Sequence, residues 1–342
     1  MAKPCVSEFA LRALLDELRD TAAMRSKVAI QQPASCCSGV APTREDLYAM
    51  PGDDTAAIRC GDQYQLLAIE GMIPAFVEQA PWFAGWSAVM ANVSDITAMG
   101  GRATAIVNAY WHHDEKAANQ VMAGVHAACA AYGLILAGGH TSQAPGNPAA
   151  LAVAVTGWAR TLLSTLHVAP GQVIAMAVDL DGQWHGDAPY WKAFENDSPE
   201  RLQAKLEVIP RLAEAGLLIA AKDVSNAGIL GTLLMLLEPT AGGAVIDISA
   251  LPRPADAPIA RWLQAFPSYG FLLTLDRKDL STVEAAFAFE GLHCACIGET
   301  DDSARLQVSH ETEVEEFWDL AQQPFTGFNF PQLRHLPEAK EH

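Results

Sequence analysis

Basic side chains are scarce in this sequence. Lys and Arg number 22 against 40 Asp and Glu, a formal charge of −18 at pH 7, and no basic block interrupts the acidic field. A nucleic-acid partner is therefore disfavoured. An acidic chain that engages a polyanion needs a divalent cation between carboxylates and phosphates, so metal-dependent phosphate chemistry stays open. Long apolar runs are missing too. The most apolar stretches, Ala227 to Leu237 and Leu217 to Ala221, fall well short of the roughly 20 residues that span a bilayer. No membrane-spanning helix is expected. Asp16, Glu17 and Asp20 interrupt the first apolar segment, which lacks the basic start of a secretory signal, and a cytoplasmic protein is the expectation. The seven cysteines are an odd number without zinc-site or disulfide-framework spacing. Adjacent Cys36 and Cys37 are poorly placed to chelate one metal, though a redox or nucleophilic role stays open. Cys294 and Cys296 alternate along an expected strand as half-buried apolar residues. No short repeat is present, which excludes solenoids and propellers.

What is present is a chain of 342 residues, half of them hydrophobic, enough for two domains of roughly 150 residues each. Leu11, Leu14, Leu15 and Leu18 predict an amphipathic helix over about 7–20. A polar stretch from Gln31 to Gly52 follows. Then strands are expected at 65–70, 104–110, 134–137 and 151–158, with helices at 86–99 and 114–132. Pro170-Gly171 marks the passage into a second unit. There the spacing predicts strands at 173–179, 244–248, 271–275 and 293–297, and helices at 200–215, 227–238 and 280–289. The fold class is α+β, in two α/β domains over residues 1–160 and 161–342.

The chemistry-bearing residues fall at the ends of these elements. Asp53 and Asp54 follow Gly52, and adjacent acids repel unless something neutralises them. Solvent does this at a turn; so does a hard cation such as Mg²⁺. Glu70 ends an apolar strand just before Gly71, either a solvated loop acid or a functional side chain at a strand end. Asn92 and Asp95 lie three apart on one face of a helix whose apolar face is Trp86, Val89, Met90 and Val93. Gly100-Gly101 ends that helix and permits close backbone approach to a ligand. Gly138-Gly139-His140 follows an apolar strand, a pairing that suits a backbone passing near phosphate, although a histidine after a strand is often structural. Asp223 precedes an apolar helix, which it or Ser225 would cap in the simpler reading.

In order, G-D-D-x-A-A-I, strand-E-G, N-V-S-D-I-x-A-M-G-G, G-G-H-T and D-V-S-x-x-G resemble the AIR-synthase-related (PurM-like) superfamily, and among its members look most like thiamine-monophosphate kinase. The resemblance spans roughly residues 25–300. It implies a PurM-like N-terminal domain with a dimerising sheet and a PurM-like C-terminal α/β domain. It further implies an ATP site near a homodimer interface, and Mg²⁺ held by dispersed carboxylates. Carried over by position, Asp53, Asp54, Glu70, Asp95 and Asp223 match metal-binding acids. Asn92, Asp95, Gly100, Gly101, Gly138 and Gly139 match the nucleotide side, and His140 and Asp223 are the catalytic candidates. Trp82, Phe83 and Trp86 offer aromatic area for the interface, with core packing the rival reading for all three.

The sequence departs from the kinase in four places. Glu70 stands for an Asp, His140 for the acid of G-G-D, and Asn226 for the second acid of D-x-S-D-G. The R-S-G-A segment has no counterpart around Leu163 to Gln172. Lys27, Cys36 and Cys37 lie where selenophosphate synthetase has a reactive Lys and Cys, at a different spacing. The expected function is an Mg²⁺-dependent ATP-utilising enzyme, a kinase-like phosphotransferase acting on a small polar substrate. The alternatives are an ATP-dependent amide-activating synthase and a nucleotide-binding protein without catalysis.

Overall fold

The computed structural model describes residues 10–31, 49 and 51–329; Cys36 and Cys37 lie outside them. The leucine stripe does form a helix, α1 (Leu11–Arg19), with all four leucines buried. It ends at Arg19, one residue from the expected end. The chain turns at Asp20, and the Thr21 hydroxyl accepts the Met24 amide at 3.3 Å to start a second helix, α2 (Ala22–Ala29). Both pack on the C-terminal core, where Leu11, Leu15 and Met24 join Phe317, Leu320 and Phe325.

The first sheet contains β1 (Ala56–Cys60), β2 (Gln63–Met72), β3 (Gly101–His112), β4 (Ile135–Gln143) and β5 (Ala150–Ala159), in the order β1-β2-β5-β3-β4. Its pairs are antiparallel except β3 with β4. One face is covered by α3 (Pro74–Gln79), α4 (Pro81–Ala98) and α5 (Glu115–Tyr132). Asp114 caps α5 by accepting the Lys116 amide at 2.8 Å, and left-handed Gly133 ends it. Helix α4 was expected to be amphipathic, with its polar residues turned from the core. Instead every residue from Phe83 to Ala98 is buried, Asn92 and Asp95 included, because the sheet, α5 and the second domain enclose it. The opposite sheet face carries the alternate positions Leu67, Ile69, Val107, Trp111 and Ile135, all exposed.

The second domain is built on seven strands in the order β15-β14-β10-β13-β6-β12-β9. These are β6 (Val173–Val178), β9 (Ala220–Asp223), β10 (Gly243–Asp247), β12 (Gly270–Leu275), β13 (His293–Asp301), β14 (Arg305–His310) and β15 (Glu313–Asp319). Strand β6 is buried throughout, and its alternate residues feed two cores: Ile174, Met176 and Val178 on one face, Val173, Ala175 and Ala177 on the other. The first face meets α7 (Gly228–Leu237) and α8 (Ile259–Trp262); the second meets α6 (Pro199–Glu214) and α9 (Leu280–Phe289). A small third sheet joins β7 (Gln183–Trp184), β8 (Tyr190–Lys192) and β11 (Phe266–Pro267), none of which hydrophobic periodicity anticipates. The architecture is the expected two-domain α+β fold. Among the described residues no helix is long and apolar enough to cross a membrane.

Candidate active site

Asp54 enters from the turn before β1, Asp95 from α4 and Asp223 from the last position of β9. One carboxylate oxygen of each lies within 4.8 Å of the others. They sit at one end of a cavity of about 200 Å³ between the two domains, where Lys27, Glu70 and Lys222 also line the wall. The other end is walled by Ile73, Phe76, Phe83, Tyr190 and Phe266. The small third sheet supplies two of these rings, Tyr190 and Phe266 stacking edge to face at 6.2 Å.

Burial works against three charges so close together. It raises the carboxyl of Asp54 and pushes that of Asp223 up to about 8, with the neighbouring Asp54 charge adding to the effect. Asp95 is raised well above the usual range, first by burial and then by the charges of Asp223, Glu70 and Asp54. Glu70 is raised by burial, against the pull of Lys27. Lys222 ion-pairs with Asp54 and donates to the Gly52 carbonyl at 3.2 Å; burial opposes its charge, but Asp54 raises its pKa on balance. Lys27 is lowered by burial and by the Lys222 charge. An all-oxygen set of buried acids that repel one another is the donor chemistry of a hard divalent cation. The residues fit Mg²⁺.

The other anticipated residues lie elsewhere. Asp53 stands outside the cluster: its carboxylate accepts the Ser164 hydroxyl at 2.6 Å and the Thr165 amide and hydroxyl at 2.8 and 2.6 Å. The turn before β1 sends the two side chains apart, so one acid of the pair enters the cavity while its neighbour fastens the inter-domain connection. Asn92 ties α4 to β5 by donating to the carbonyls of Ala88 and Val153 at 2.7 and 3.0 Å. Gly100 takes φ +79° at the end of α4, and a Cβ there would stand 2.6 Å from the Thr161 carbonyl oxygen. At Gly101 it would meet Leu66 at 2.4 Å. Close packing of the protein itself accounts for these glycines.

Gly138, Gly139 and His140 lie on the edge strand β4, exposed. The register places His140 opposite Ala109, on the same outer face as Val107 and Trp111, with its ring 3.0 Å from the Ser142 hydroxyl. None of the three lines the cavity. Phe83 and Trp86, expected to offer interface area, are buried within the chain; Trp86 stacks on Phe194 at 4.4 Å. Only Trp82 of that trio is exposed. Cys294 is half-buried, and burial pushes its thiol up to about 12. Sequence reasoning missed Lys222, the neighbour of Asp223 and so within reach of a motif-based search. It gave Lys27 no place in the site, and nothing local marks Tyr190 or Phe266.

The model of the AIR synthase related protein N-terminal domain matches residues 52–159, and that of the C-terminal domain matches residues 171–311. A Synechocystis relative, "Uncharacterized protein sll0787", is 43% identical over 81% of this chain and 86% of its own length. The thiamine-monophosphate kinase of Synechococcus elongatus is 28% identical over 77% of this chain and 88% of its own. Among solved structures, T. maritima PurL complexed with ADP superposes with a TM-score of 0.71 at 17% identity. It matches 94% of this chain, which spans 54% of that longer one.

Proposed function

Because the chain belongs to the AIR synthase related protein family through both of its domains, we propose that it binds ATP with Mg²⁺ and transfers a phosphoryl group to a small substrate held between the domains. The observation that carries this reading is the meeting of Asp54, Asp95 and Asp223 within 4.8 Å at the cavity end where Lys27 and Lys222 also stand. These three acids would hold the ion, flanked by Glu70; Mg²⁺ there would neutralise phosphate charge during transfer. Lys222 holds Asp54 in place and, with Lys27, presents positive charge to incoming phosphate oxygens. Asp223, at the end of β9 and facing the cavity, is also the group placed to take the proton of an attacking substrate oxygen. The aromatic end excludes water and receives the apolar part of the substrate.

His140, on the outer sheet face and away from the cavity, has no contact with phosphate in this scheme within one chain. That face, with Ile69 and Ile135 exposed, is where a homodimer would form. Asn92, Gly100 and Gly101 act from behind, holding α4 in register.

The test is calorimetry followed by a substrate panel. ATP is expected to bind with Mg²⁺ and to lose affinity in excess EDTA. Thiamine monophosphate beside small amides, amines and phosphate esters would be scored for ADP release and product mass. A product that retains the phosphoryl group supports the kinase reading. ADP release with a condensed product lacking that group would replace it with the amide-activating one, and ATP binding indifferent to EDTA would reject the metal site.

A further inference from the structure

We propose that Glu238 is a positioning residue: its buried carboxylate fastens residues 324–328 as a strap that sets the places of Lys27 and Asp54 in the cavity. This goes beyond the reading above and rests on it only for the identity of the ligand, Mg²⁺ with ATP.

Glu238 follows the last residue of α7 and is 0% exposed. A buried carboxylate is costly unless its oxygens are satisfied, and here four donors converge on it. The amides of Phe325, Thr326 and Gly327 approach at 2.7, 2.8 and 3.0 Å, and the Thr326 hydroxyl completes the set. Three successive backbone N–H groups wrapped on one anion fix the course of the chain at this point. The strap so held touches both segments that bring charge into the cavity. Gln31, two residues past the end of α2, donates to the carbonyls of Pro324 and Phe325, and α2 carries Lys27. Phe328 lies against Gly52, where an added Cβ would stand 3.0 Å from that of Phe328. Gly52, at φ +112°, turns the chain into Asp53 and Asp54, and its carbonyl accepts from Lys222. Glu238 thus reaches both sides of the site through one segment. It also sits at the far end of α7, the helix that begins beyond Asp223.

The experiment compares the full-length wild type with Glu238→Gln, Thr326→Val, Thr326→Ser and Phe328→Ala. Glu238→Gln keeps the volume but turns an amide N–H₂ toward backbone donors; Thr326→Ser keeps the hydroxyl that Thr326→Val removes. Phe328→Ala leaves the carboxylate and its four donors untouched. Two measurements are made: the Kd for ATP with Mg²⁺ by calorimetry, and amide hydrogen exchange of residues 22–31 and 51–58. Glu238→Gln and Phe328→Ala are expected to raise Kd by about tenfold, the range seen when groups behind metal ligands are removed, with faster exchange in both segments. Thr326→Val should follow in the same direction and Thr326→Ser should match wild type. Unchanged Kd and unchanged exchange at 22–31 and 51–58, with only the melting temperature lowered, would overturn the proposal and leave the strap a stabilising contact. If wild type bound no ATP, the functional reading would fall, and exchange alone would judge the strap: acceleration in both segments would support it and its absence would refute it.

Discussion

The two neighbouring acids after Gly52 have opposite duties, and mutagenesis should separate them. Asp53→Ala strands the hydroxyls of Ser164 and Thr165 and the Thr165 amide, so urea titration should show a loss of about 1 to 3 kcal/mol. Asp95→Asn removes one of three mutually repelling buried charges. It should raise the melting temperature of the metal-free protein while weakening Mg²⁺-dependent ATP binding by more than about tenfold. The exposed Asp302→Asn should do neither, and equal effects at Asp95 and Asp302 would remove Asp95 from the site. A pH dependence follows from Asp223. Its carboxyl titrates at about 8 in the fold against about 4 in an unfolded chain, so the folded state holds a proton that the unfolded state has lost. The stability this proton confers is complete below the unfolded value and disappears as pH rises through about 8. Metal-free protein should therefore melt at progressively lower temperature from about pH 4 to about pH 8 and level off above that, and Mg²⁺, which takes the proton's place, should restore more at the upper end. A Mg²⁺-induced shift in melting temperature that is flat across this range would contradict the assignment. At this scale the acids were legible because motif order marks them. The division of labour between Asp53 and Asp54 was not, since adjacent residues of one type differ only in which way the backbone points them.

Elements were legible where one face is apolar and the other is not. The leucine stripe of α1 and the all-apolar β6 announce themselves, whereas β7, β8 and β11 run two or three residues each and acquire their identity from pairing. Helix α4 misled because its polar residues serve the interior: Asn92 bonds to carbonyls and Asp95 faces the cavity. Its packing on α5 is set by two glycines. A Cβ at Gly85 would lie 2.0 Å from the Val121 carbonyl oxygen, and one at Gly124 the same distance from that of Trp82. Gly85→Ala should force the helices apart and cost about 1 to 3 kcal/mol in chemical denaturation. Wild-type stability in that variant would show that the helices yield without cost. The paired glycines put His140 after a strand expected to end at 137, whereas β4 runs on through it to Gln143, and no local rule says which sheet face a histidine at a bulged edge will take. The shift in β3–β4 pairing between Ile106 and Val107 decides it.

For the whole molecule, the outer face of the first sheet remains to be covered. Ile69 is 69% exposed and Ile135 67%, an apolar surface of the kind that marks an interface. Ile69→Asp should convert a dimer to a monomer in light scattering with the helical circular dichroism unchanged; a wild-type monomer at all concentrations would refute the dimer outright. The two-domain plan was readable from alternating element types, but the wrapping of α1 and α2 onto the second core was not, because long-range packing leaves no periodicity. That wrapping has a consequence for how the molecule comes into being. A ribosome releases the leucine stripe of α1 first and the residues it packs against, Phe317 to Phe325, among the last that the structure describes. Until those emerge, α2 can rest on α7, where Met24 lies against Gly231, but the Gln31 hydrogen bonds to the strap are missing. The contacts that fix Lys27 and Asp54 through the strap therefore form only after translation has passed residue 328, and a chain that stops before it lacks them.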